Sequence, residues 1–203
     1  VDVSLTDEFG AHTASVGEPK RICNPADQDD FDPGALSDPA HLVAYRLAGV
    51  EPRFARRRNQ SVETAFGPIT VDVVRPDMLL VPSAKSLSAP PPPLTDATLD
   101  HFQCYRTQGG RTRIEHVNIA DEFGTIVVDV KRPVRLCVPV DKNGEGIDDP
   151  TAHLMCYEVR LSSTVPFAPA GDVLVDNEFG ADRFEATRPR ELCIPATVGP
   201  ESP

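Results

Sequence analysis

The 203-residue chain carries 31 acidic against 20 basic side chains, a formal charge of −11, with 21 prolines, no tryptophan and only 6 % aromatic residues. That charge argues against nucleic acid as a partner, whose phosphates would repel it, and suits a soluble secreted protein. No apolar run is long enough for a membrane span and no signal peptide is present; the chain starts at Val1, as a mature or trimmed product would.

In chain order, Val1, Val3 and Leu5 alternate with Asp2 and Ser4, the pattern of a half-buried strand. Phe9 then reads as a core plug, and Gly10 permits the positive φ of a hairpin turn. Phe-Gly returns at Phe66-Gly67, Phe123-Gly124 and Phe179-Gly180, with the glycines 57, 57 and 56 residues apart. Nine residues after each glycine stands Pro19, Pro76, Pro133 or Pro189, and thirteen after it Cys23, Leu80, Cys137 or Cys193. Four copies without insertion between these landmarks mark a tandem array. A front segment with His at its head precedes three copies, ending in Ala44-Tyr45, Cys104-Tyr105 and Cys156-Tyr157. The first copy lacks it, so there are three full units and one truncated one. After the turn the chain runs back through Ile69, Val71, Val73 or Ile126, Val128, Val130, and the proline that follows is expected to end the strand. The expected fold is all-β: tandem repeats of about 57 residues, each a small disulfide-stapled unit of short antiparallel strands, sandwich- or barrel-like.

Units this small and this poor in large side chains need covalent help. Two units carry Cys at both the front and the back position, while the second unit has Ala44 and Leu80, so the residues are kept or lost together. Pairing each back cysteine with the next unit's front would set Cys23 against Ala44 and Leu80 against Cys104. The spacing therefore predicts Cys104–Cys137 and Cys156–Cys193, and with them an oxidising compartment, extracellular or at the cell surface. Cys23 is left over, its partner either in a missing upstream strand or on another molecule.

Residues 26–40 form an acidic loop containing Asp27 and Asp29, and Asp141, Asn143 and Glu145 form its counterpart two units later. Alternating oxygen ligands before Gly146 suggest calcium, but Ala152 stands where the bidentate glutamate would be, and a solvated loop is the preferred reading. Arg53, Arg56, Arg57 and Arg58 reverse the prevailing sign; they read as a solvated loop or as a contact with the 26–40 loop of a neighbour. Asn59-Gln60-Ser61 is a glycosylation sequon, a signal common by chance.

Residues 86–100, with four successive prolines, form a semi-rigid linker in which Ser86, Ser88 and Thr95 are candidate O-glycan sites. An N-terminal lobe is expected at 1–85 (truncated repeat 1–40, repeat 41–85) and a C-terminal lobe at 101–203 (repeats 101–149 and 153–203). These repeats are called the first to fourth units below.

No metalloprotease, nucleophile-elbow, phosphate-loop or CxxC motif is present. His41, His101 and His153 recur at one place per unit, as do Glu8, Glu122 and Glu178, and groups needed in every copy are structural. His12 and His116 are unrepeated and lack an identifiable nucleophile or metal partner. No enzyme and no cofactor is expected, calcium being the only ion considered.

The pattern HFxCY, DEFG, RPxxLCVPVDKNGE, carried by residues 101–145, resembles an uncharacterised tandem β-repeat domain of secreted bacterial proteins. The resemblance covers nearly the whole chain and implies an extracytoplasmic β-rich module with no known activity. Two functions remain. One is a structural subunit of an extracellular fibre, sheath or surface assembly that self-associates through the open edge of Val1, Val3, Leu5 and Phe9. The other is an adhesin or a calcium-dependent carbohydrate- or protein-binding module.

Overall fold

The computed structural model describes residues 1–39, 41–94, 99–162 and 166–199, and its regular structure is almost entirely antiparallel strand. The first unit forms β1 (Asp2–Asp7) and β2 (Gly10–Cys23), followed by the two-residue β3 (Asp27–Gln28) and a 3-10 turn at Pro33–Ser37. The second forms β4 (His41–Glu51), β5 (Arg57–Thr64) and β6 (Gly67–Ser86). The third forms β7 (Phe102–Gly109), β8 (Ile114–Asp121), β9 (Gly124–Pro139) and the short β10 (Asp141–Lys142). The fourth forms β11 (His153–Leu161), β12 (Ala170–Asn177), β13 (Gly180–Ala186) and β14 (Glu191–Val198).

Each full unit has a front strand, then a second strand turning into a back strand through the Phe-Gly hairpin. At that turn Gly10, Gly67, Gly124 and Gly180 have φ between 97° and 129°, a region closed to side chains with a Cβ. The second strand bulges at Asn59, His116 and Asp172, which all take positive φ near 55–60°. His116, unrepeated as a residue, thus stands at a repeated backbone position.

The back strands are longer than expected: β2 has 14 residues, β9 has 16 and β6 has 20. In the first three units the prolines do not end them, whereas in the fourth β13 stops at Ala186, before Pro189, and β14 starts at Glu191. Pro19, Pro76 and Pro133 lie opposite Tyr45, Tyr105 and Tyr157, each flanked by a register shift. A bulge absorbs the missing N–H, so the ladder resumes beyond it.

Every front strand pairs with its own back strand, placing Ala44 opposite Leu80, Cys104 opposite Cys137 and Cys156 opposite Cys193. Its other edge pairs with the back strand of the preceding unit, through β2–β4, β6–β7 and β9–β11. The result is a curled series β2–β4–β6–β7–β9–β11–β14. The lobes expected at 1–85 and 101–203 therefore share one sheet, because the β6–β7 ladder bridges residues 86–100. Further ladders run between alternate units: β3 with β8, β12 with the end of β6, β10 with β1, and the end of β14 with β5.

One face of the series converges on a shared core of Leu42, Ala44, Met78, Leu80, Phe102 and the sulfurs of Cys104, Cys137 and Cys156. Both disulfides, Cys104–Cys137 and Cys156–Cys193, lie in it, with the Sγ atoms of Cys137 and Cys156 3.8 Å apart. The opposite face carries the tyrosines and packs under the hairpins in two further clusters.

Candidate interaction site at the β2–β14 seam

The repeated side chains meet across units by two rules. Each front tyrosine reaches the hairpin two units away: Tyr45 Oη donates to Asn177, Tyr105 Oη to Asp7, and Tyr157 Oη shares a hydrogen bond with Thr64. The same tyrosines pack edge-on against Phe179, Phe9 and Phe66, with ring centroids 5.0–5.4 Å apart. Each front histidine meets the glutamate one unit on: His41 with Glu122 at 3.7 Å, His101 with Glu178 at 2.7 Å, and His153 with Glu8 at 3.2 Å. Hydrogen bonding to Glu8 holds His153 above the usual imidazole range, whereas burial holds His41 below it.

Lysines reinforce two of these junctions. Lys85 pairs with Glu122, and the buried Lys142 bridges Glu145 and Glu178 beside His101. His101, Glu145 and Glu178 could offer atoms to a metal, lining a cavity of about 510 Å³ with Pro82, Leu94 and Asp100. The Lys142 ammonium, only 1 % exposed, already ion-pairs with both carboxylates, so it competes with a metal ion for the same oxygens.

The series runs from β2 to β14, and no backbone ladder joins those two strands among the described residues. Arg135 on β9 reaches Glu191 on β14 across the intervening β11, and Arg21 on β2 pairs with the same Glu191 oxygen from the other side. At this seam Ile22 and Leu192 are half-buried, whereas their equivalents Leu79 and Leu136 are fully buried. Cys23, free and half-buried, packs against the disulfide core, its thiol pushed up to about 11 by desolvation and by Glu191. Asp121, the counterpart of Asp7 and Asn177 at the third hairpin, accepts from Asn24 Nδ2 at 3.3 Å. Phe123 meets Phe167 at 6.4 Å and the Lys85 ammonium at 4.9 Å in place of a tyrosine.

The edge expected at Val1, Val3, Leu5 and Phe9 is not the open one. Val3 and Leu5 are core residues, and Asn143 satisfies both backbone groups of Ser4, with Leu5 and Thr6 opposite Lys142 and Asp141. Phe9 packs against Phe54 and Tyr105, leaving Val1 as the exposed residue of the set. Residues 141–143 supply the covering strand, a role that their loop-like composition hid.

The calcium candidates serve the backbone. Asp27 accepts from the Asp32 N–H, Asp29 from Asn118, and Asp141 from the Gly146 N–H, while Glu145 pairs with Lys142. Of the arginines, Arg56 is held by Asp72 and Gln108 and Arg57 by the Phe9 carbonyl; Arg53 and Arg58 are exposed. Asn59 is exposed at its bulge, Ser88 is exposed, Ser86 is half-buried and pairs with Leu174, and Thr95 lies outside the described residues. His12 is buried against Gln103, with burial lowering its pKa.

A family described as a repeat of unknown function (DUF7450) matches residues 41–195, three-quarters of the chain. The chain belongs to that family. Its match opens at the front strand of the second unit and closes just beyond Cys193, so the DUF7450 repeat embraces both disulfides and the seam-facing edge of β14. No curated protein and no solved structure matches the chain.

Proposed function

We propose that the chain is a non-enzymatic structural subunit of an extracellular assembly and that it joins its neighbours by strand addition. The observation that carries this reading is the β2–β14 seam, where no backbone ladder joins the two strands among the described residues. Such edges template pairing with another polypeptide, and a contact of that kind is directional and can propagate. The repeated histidines, glutamates and tyrosines support a structural role, since each is engaged by a partner in another unit. Two disulfides suit an oxidising compartment, and among the described residues no helix is long and apolar enough to cross a membrane. Phe31, 92 % exposed in the acidic 26–40 loop, and the exposed Arg53 and Arg58 are further points for contact between copies.

Negative-stain microscopy and sedimentation of the native protein test this reading. Filaments or discrete higher-order particles that grow with concentration are expected. Single particles at every concentration and redox state would overturn it.

A further inference from the structure

Where β7 leaves β9 lies a cavity of about 420 Å³, lined by Arg75, Arg106, Thr107, Gln108, Arg132 and Pro133 among others. We infer that it binds a dianionic phosphate group, free or as the monoester of a small sugar. Such binding is independent of the strand addition proposed above.

The charges at this place are unlike those at the other junctions. β7 pairs with β9 as far as Arg106 opposite Arg135, then continues alongside β6 alone through Gly109. At each junction between neighbouring units, the residue before the bulge proline meets the residue after the front tyrosine. These are Glu18 and Arg46, then Arg75 and Arg106, then Arg132 and Glu158. The outer two sets carry opposite signs, and Arg132 Nε lies 3.1 Å from Glu158. The middle set is two arginines, directly opposite each other in the ladder. Like charges so placed repel, and an anion between them removes that cost. Arg75 is exposed and has no ion pair or side-chain hydrogen bond among the described residues. Arg106 has Asp77 at 2.8 Å but shares it with Arg135, which in turn shares Glu191 with Arg21. Five arginines thus divide three carboxylates, and the surplus of two positive charges matches a dianion.

The donors suit phosphate. Guanidinium groups present planar forks that donate in pairs to its oxygens. Thr107 Oγ1 is buried without a hydrogen-bond partner, a cost that a phosphate oxygen accepting from it would remove. Gln108 Oε1 accepts from Arg56 Nη2 at 2.8 Å, which leaves its amide Nε2 to donate. Val134 stands where the second unit has Asp77, so this bulge adds no carboxylate. With Val74 and Pro133 it forms an apolar wall, and the volume leaves room beside the phosphate for the body of a monosaccharide.

Calorimetric titration of the full chain with inorganic phosphate, glucose 6-phosphate and glucose 6-sulfate, at about pH 8 and constant ionic strength, tests this site. The phosphates are dianionic there, whereas the sulfate monoester offers similar oxygens with a single charge. Both phosphates should bind at least about fivefold more tightly than the sulfate ester. Tighter binding of glucose 6-phosphate makes the ester the occupant and tighter binding of inorganic phosphate makes it the free ion; either supports the site. Arg75→Gln should weaken phosphate at least about tenfold and Thr107→Val at least about threefold. Arg183→Gln, outside the cavity, should leave the affinity within about twofold. Without ligand, Arg75→Gln should melt no lower than the wild-type chain, which separates lost binding from lost folding. No heat and no thermal shift with either phosphate, equal affinity for the sulfate ester, or phosphate binding unchanged in Arg75→Gln would overturn the inference.

Discussion

Replacing Cys104 by alanine and Cys137 by leucine together should isolate the worth of one staple. The second unit already fills the equivalent facing positions with Ala44 and Leu80, both buried in the same core. The double variant therefore has a packing precedent within the molecule and loses chiefly the cross-link. That cross-link spans a sequence separation of 33, for which the loop-entropy relation gives about 4 kcal/mol. For a chain of this length, the loss should lower the thermal midpoint by roughly 8–16 °C. Calorimetry under non-reducing conditions, with urea unfolding for the free energy, reads both quantities. The reciprocal pair, Ala44→Cys with Leu80→Cys, should form a third bridge and raise stability by a similar amount. A loss below about 1 kcal/mol in the first variant would refute the reasoning, because unfolded-chain restriction could not then be the staple's contribution.

Three other perturbations probe the contacts between units. Desolvation pushes the Asp7 carboxyl up to about 6 against the Tyr105 hydrogen bond, so its contribution is complete below its ordinary 3.8 and is lost as pH rises through 6. Asp7→Asn, which copies the Asn177–Tyr45 pair, should therefore raise the thermal midpoint at pH 7 more than at pH 4; an equal shift at both would be the contrary result. Leu5→Ala should cost about 2–5 kcal/mol in urea unfolding if β1 is core, whereas an exposed joining edge would lose almost nothing. Lys142→Met should cost no more than about 1 kcal/mol, because the Glu145 and Glu178 side chains it leaves are 49 % and 35 % exposed, and recovery of that loss by calcium would revive the metal-loop reading.

Composition and alternation were enough to read the all-β class, and shared loss at positions 44 and 80 was enough to pair the cysteines. Those signals are local or tied to one unit. The interlock was harder to see because its partners sit in different units. One trace of it exists: the second unit has Ala65 where the other three carry the glutamate. The open edge was misplaced for a related reason. Residues 141–143 carry an acidic, glycine-flanked sequence that reads as a loop, yet Asn143 closes the β1 edge through Ser4. Prolines read as strand ends were misleading because bulges beside Pro76 and Pro133 carry the ladder through.

The ladders between alternate units constrain how such a protein can change length during evolution. The tail after each back strand is bordered by the second strand of the copy two places along, as Ala84 is by Asp176 and Asp27 by Ala120. An insertion between two such copies would part strands that now pair, and one excised copy expressed by itself should remain unfolded.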